Sequence, residues 1–169
     1  MDTFIGNLNK ETVFSRITQY LNKQQIAVES VDKTRPWGGF LVISDSSLQK
    51  FTAHFFPNLD TSKYAGLKLS PKILVVEPDG RLSWQYHDRR SELWTIVSGE
   101  IGMVISNDNQ LTPARISRTG DTISIDQGMR HRAEGLENWG IIVEIWQHTN
   151  PENPSNEDDI IRLEDDYGR

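Results

Sequence analysis

The chain has 169 residues, no cysteine and a formal net charge of -6. That length suits one domain with a real core, and the missing thiols exclude disulfide frameworks, thiolate zinc sites and cysteine nucleophiles. Residues 152–169 set seven acids against Arg162 and Arg169 and so supply -5 of the charge, which argues against a nucleic-acid partner but leaves a small phosphorylated ligand open. Met1 to Asn9 has neither the basic start nor the apolar stretch of a signal peptide, and no run approaches the roughly 20 apolar residues of a membrane span. A cytoplasmic protein is expected.

From Asn9 to about Ala27, Val13, Phe14, Ile17, Tyr20 and Leu21 recur at helical spacing, with Asn9 as N-cap, and predict an amphipathic packing helix. Arg35-Pro36-Trp37-Gly38-Gly39 reads as a turn ahead of a first strand, Phe40 to Ile43. Asp45 is placed to cap a short helix carrying Leu48, Phe51 and Phe55, stopped by Pro57, and residues 57–66 read as a loop. His54, alone among phenylalanines on that helix, reads as a packed or surface residue.

Beyond Lys68 the texture changes to short apolar or alternating runs ended by turn residues: Ile73 to Val76, Leu82 to His87, Leu93 to Val97, Ile101 to Ile105, Ala114 to Ser117, Thr122 to Ile125 and Ile141 to Trp146. Such spacing predicts a mainly β sandwich or closed barrel. Ile160 to Leu163 reads as a last strand laid against it.

The chemistry concentrates in residues 82–94. Gln85 and His87 are two apart, so on a strand they project to one side, and Glu92 opens the next apolar run after a polar bend, Asp88 to Ser91. His131, after the turn Asp126-Gln127-Gly128, is the best-placed fourth ligand. Two imidazoles, an amide and a carboxylate suit Zn²⁺, with Fe²⁺, Mn²⁺ or Co²⁺ as alternatives, and a metal there would act as a Lewis acid on a carbonyl and its neighbouring hydroxyl. The same polar residues on one strand face are equally compatible with a solvated edge. Lys72 reads as a general base, a phosphate contact or a solvated lysine. Arg90, in the bend, reads as a bidentate phosphate ligand or an exposed turn residue.

The stretch Pro78 to His87, with Arg90, Glu92, Trp94 and Ser98-Gly99, resembles the metal motif of the cupin domain of type II mannose-6-phosphate isomerases. That domain is also the C-terminal part of bifunctional isomerase/mannose-1-phosphate guanylyltransferases. The resemblance extends to Arg35-Pro36-Trp37-Gly38, Lys72, His131, Glu144 and the closing segment Glu157 to Arg169. It implies a cupin jelly roll over residues 35–169, carrying residues 1–34 as an N-terminal helical extension. It also implies a metal on Gln85, His87, Glu92 and His131, and isomerisation of a phosphosugar, mannose 6-phosphate or a related hexose or heptose phosphate, through a cis-enediol. By the same resemblance Lys72 and then Glu144 are the candidate bases, Arg90 and Arg162 bind the phosphate, the tail closes over the barrel mouth, and a homodimer is expected. Asp88, Arg89 and Leu93 stand where the family usually has histidines. Guanylyl transfer is not expected. The competing reading is a non-catalytic, metal- and sugar-binding cupin with a regulatory or subunit role.

Overall fold

The computed structural model describes residues 8–168. The N-terminal stretch examined for a signal peptide lies almost wholly outside them. Helix α1 (Lys10–Lys23) begins where the sequence places it, with the Asn9 side chain accepting from the Thr12 amide. It ends four residues before Ala27, because Gln25 takes a positive φ of 56° and turns the chain into a strand, β1 (Val28–Asp32), that the sequence reading lacks. Strand β2 (Gly38–Ile43) and a 3₁₀ turn (Asp45–Ser47) lead to helix α2 (Leu48–Phe55). Asp45 lies inside that turn; the residue at the N-cap of α2 is Ser47. A second 3₁₀ turn, Thr61–Tyr64, interrupts the predicted loop.

The remaining strands are β3 (Leu69–Val76), β4 (Trp84–Tyr86), β5 (Arg90–Ser98), β6 (Glu100–Ser106), β7 (Arg115–Arg118), β8 (Thr122–Ile125), β9 (Arg130–Gly135), β10 (Gly140–His148) and β11 (Ile161–Glu164). They form two antiparallel sheets, ordered β1-β2-β3-β10-β5-β8 and β11-β4-β9-β6-β7. This is the mainly β, jelly-roll architecture expected. The tight β5–β6 turn depends on Gly99, at φ 75°, where a Cβ would collide with the Trp139 carbonyl.

The larger sheet is buried on both faces, which explains why every residue of β10 is buried. Its outer face packs Ile73, Val75, Ile141, Val143 and Ile145 against Val13, Phe14, Ile17 and Leu21 of α1 and Phe51 of α2. Its inner face packs Leu74, Val76, Trp94, Ile96 and Ile142 against Ile101, Met103 and Ala133 of the smaller sheet. Each such aliphatic side chain contributes about 1.5–3 kcal/mol by leaving water. There are therefore two cores on the two sides of one sheet.

Candidate metal centre

Residues directly opposite on antiparallel strands point to the same side, so strand register lays out the inner face of the larger sheet. Leu74 of β3 and Ile142 of β10 face each other near its apolar end, and Ile142 in turn opposes Ile96 of β5. One step along come Lys72, Glu144 and Trp94; the next brings Ser70, Trp146 and Glu92; the last pairs His148 with Arg90. The inner face thus grades from aliphatic to charged over three positions. The smaller sheet completes this end, placing Gln85 between Arg162 of β11 and His131 of β9.

The structure brings three of the four proposed ligands into a tight, buried cluster. Atoms of His87, Glu92 and His131 lie within 4.8 Å of one another, and all three residues are at most 2% exposed. His87 Nε2 is 3.2 Å from one Glu92 oxygen and His131 Nε2 is 3.4 Å from the other. Two donors about 2.1 Å from one first-row divalent ion are separated by about 3.0–3.4 Å, so the spacing fits. Each ring is oriented from behind: His87 Nδ1 donates to the Asp159 carbonyl at 3.1 Å, and His131 Nδ1 to the Met129 carbonyl at 3.0 Å. The His131 Nε2 lone pair therefore faces Glu92, and that of His87 faces both Glu92 and the Arg90 guanidinium. Among the described residues, His131 Nε2 and the nearer Glu92 oxygen make no hydrogen bond, a costly state for buried polar atoms and one that a cation would relieve. Gln85, 8% exposed, lies directly across from His131, its carbonyl oxygen accepting from Ser83 Oγ at 2.6 Å.

Electrostatics favour a neutral His87 and an ionised Glu92. Burial, with Arg90 and His131 nearby, pushes His87 down to about 3 despite the opposing pull of Glu92. Burial alone would raise Glu92, but His87, Arg90 and His131 outweigh it and hold that carboxyl well below the usual range. Glu144 behaves in the opposite way: burial and the charge of Glu92 push it up to about 8, against the pull of Lys72 and Arg90. Its carboxyl accepts from Trp94 Nε1 at 2.9 Å.

Above the cluster opens a narrow funnel with a cavity volume of about 60 Å³. Gln85, Glu92 and Glu144 line its depth, and Arg35, Lys72 and Arg162 bring cations to its walls. Arg90 also lines it, but not as a free turn residue. Arg90 already belongs to β5 and is 2% exposed; its Nε donates to Glu92 at 2.6 Å, and its terminal nitrogens reach His87 Nε2 at 3.0 Å and Ser155 Oγ at 2.7 Å. Lys72 donates to Glu157 at 2.6 Å. Its ammonium stands 3.5 Å from the Trp146 ring centre and the Arg90 guanidinium 3.6 Å from the same centre, so the indole separates the two cations. Arg162 is exposed and has no hydrogen-bond or ion-pair partner among the described residues. Tail residues Glu157 and Ile160 also line the funnel, as an overlying tail requires.

Trp146, read from the sequence as core or pocket wall, lines the funnel, whereas sequence reasoning missed Ser155, which lies ahead of the closing segment, and Asp159, which only the resemblance of that segment touches. His54, set aside earlier, bonds the Tyr20 hydroxyl at 2.7 Å. His148 Nε2 meets Ser70 Oγ at 2.9 Å.

Residues 56–165 match the family described as the mannose-6-phosphate isomerase C-terminal domain. The chain belongs to that family. Among curated proteins, the mannose-1-phosphate guanylyltransferase ManC of Salmonella typhimurium is 31% identical over 105 residues, and its Escherichia coli counterpart 32% over 105. Each match covers 62% of this chain and 20% of the relative, so the chain spans about a fifth of the length of those proteins. Of solved structures, a tryptophan-to-tyrosine variant of Bacillus subtilis oxalate decarboxylase aligns with a TM-score of 0.58 at 12% identity, over 80% of this chain and 30% of that one. An oxalate oxidase aligns at 0.52 and 17%, over 78% and 58%. These share the cupin fold with the family domain. No helix among the described residues is long and apolar enough to cross a membrane.

Proposed function

We propose that the chain is a divalent-metal-dependent aldose–ketose isomerase acting on a phosphosugar. The observation that carries the reading is that Glu92, clustered with His87 and His131, lines the same funnel as a buried acid, Glu144, poised near neutral pH. Gln85, His87, Glu92 and His131 would hold the metal, with Zn²⁺ first on donor chemistry, and its contribution is Lewis-acid polarisation of a carbonyl.

The chain's own residues then divide the work. Glu144, with a value of about 8, suits moving a proton between adjacent sugar carbons, since acid–base catalysis is most effective when the group titrates near the working pH. Trp94 fixes that carboxyl by its indole N–H. Lys72 remains a candidate base, and its position on the wall also suits a phosphate. Arg162 and Arg35 are the rim cations for that phosphate; Arg90, committed to Glu92 and Ser155, orients the cluster. Aliphatic and tryptophan walls exclude water from the reacting carbons.

A second reading, a sugar-phosphate-binding module, is favoured by the Lys72–Glu157 pair, which ties up one candidate base. Proton NMR in D₂O separates them. Exchange of the C1 or C2 hydrogen of one hexose or heptose phosphate, lost on chelation, is the expected result. No exchange across the panel, in protein that holds metal, refutes the isomerase and leaves the module.

A further inference from the structure

Ser155 and Asp159 come from the acidic tail, yet they bond Arg90 and His87 at the metal cluster. Asp159, 5% exposed, is the centre of this contact. One carboxylate oxygen accepts from the Asp88 amide at 3.1 Å; the other accepts from the Arg89 amide at 3.1 Å and Ser155 Oγ at 2.6 Å. Its main-chain carbonyl accepts from His87 Nδ1. Ser155 Oγ and the Asn156 carbonyl accept from Arg90, which in turn holds Glu92, and the Arg89 guanidinium bonds Asn153 and Asn156. One tail residue therefore clamps the backbone of the loop between two ligands and aims the ring of the first.

We infer that Asp159 is a positioning residue, through which docking of residues 153–160 and metal binding at His87, Glu92 and His131 are thermodynamically linked. This rests on the proposed metal site. With the tail undocked, His87 loses the acceptor that fixes its tautomer and ring angle, and Arg90 loses two acceptors that keep it against Glu92. Loss of such supporting partners weakens metal affinity by about 10- to 100-fold. Linkage is reciprocal, so metal must strengthen tail docking by the same factor.

The test begins with the native chain. Equilibrium dialysis establishes Co²⁺ binding, and hydrogen exchange of residues 153–160 is then compared with and without the metal. Slowing by about 10-fold or more is expected. D159A should lower Co²⁺ affinity about 10- to 100-fold and alter the visible spectrum of the bound ion, which reads ligand arrangement rather than stability, with D159N intermediate. Bound Co²⁺ with unchanged exchange, or a D159A affinity within about threefold of native, overturns the linkage alone. No bound metal in the native chain overturns the linkage and the metal site together. Should D159A not fold, the native exchange comparison decides.

Discussion

Replacing Glu92 by glutamine removes one charge from a site where four polar groups meet out of water. Glu92 is 1% exposed and lies 2.6 Å from Arg90 Nε, 3.2 Å from His87 and 3.4 Å from His131. In metal-free protein the chief consequence falls on Arg90, whose side chain is 1% exposed and whose remaining anion is Asp159 at 3.8 Å. Stranding a buried charge costs about 3–5 kcal/mol. The glutamine carbonyl still accepts from Arg90 Nε, recovering about 1 kcal/mol, so the net loss is about 2–4 kcal/mol. With a urea slope of about 2 kcal/mol per molar, the unfolding midpoint should fall by about 1–2 M in the presence of chelator. R90M in the same background removes the stranded cation, so E92Q/R90M should lose less than the two single variants combined. A midpoint within about 0.25 M of native for E92Q would refute the reasoning, because it would mean that water already shields the pair.

E144Q should raise the melting temperature at pH 7, because folding there requires Glu144 to take up a proton that a neutral glutamine does not need, while turnover falls by about 10²- to 10⁴-fold; unchanged turnover in an isomerase assay removes Glu144 from the chemistry. The folded value of Glu144 lies above its ordinary 4.5, so its contribution is complete below 4.5 and lost as pH rises through about 8; urea midpoints at pH 5 and 9 should show E144Q gaining on native. Glu157 is the reverse case. Burial raises it, but Lys72 outweighs that and holds it below 4.5, so its grip on the tail is present above 4.5 and lost as pH falls through the lowered value; amide exchange of residues 155–160 should accelerate in acid, and E157Q should reduce the dependence, leaving the part carried by Asp159, whose carboxyl is also lowered. R162A, at an exposed position, should raise the KM for phosphosugar about 10-fold with metal affinity unchanged. An unaltered KM places the phosphate elsewhere.

The barrel strands were legible because apolar alternation and turn residues are local signals, and Thr122–Ile125 was read to its limits. Strand β1 was not, because Val-Glu-Ser-Val-Asp carries little apolar content and sits at a sheet edge, bonded to β2 alone. Strand β9 was hidden by its charges: Arg132 is buried there, answered by Glu164 and Asp166 more than thirty residues later. The proposed ligands Gln85, His87 and Glu92 could be found from their spacing from β4 through the bend into β5. The surroundings of Arg90 could not, since the partners that bury it, Ser155 and Asn156, lie 65 and 66 residues away. Long-range closure leaves no local trace.

The two-sided sheet has a consequence for how this chain tolerates change. The side chains between helix α1 and the sheet never see the funnel, whereas those one residue along the same strands form its floor. Substitutions at Ile17, Ile73 or Val143 therefore draw on stability without reshaping the funnel. Substitutions at Lys72, Glu144 or Trp146 reshape the funnel against a backbone already secured from behind. Robustness and novelty are carried by alternate residues of the same strands, so a lineage can add to one before it experiments with the other.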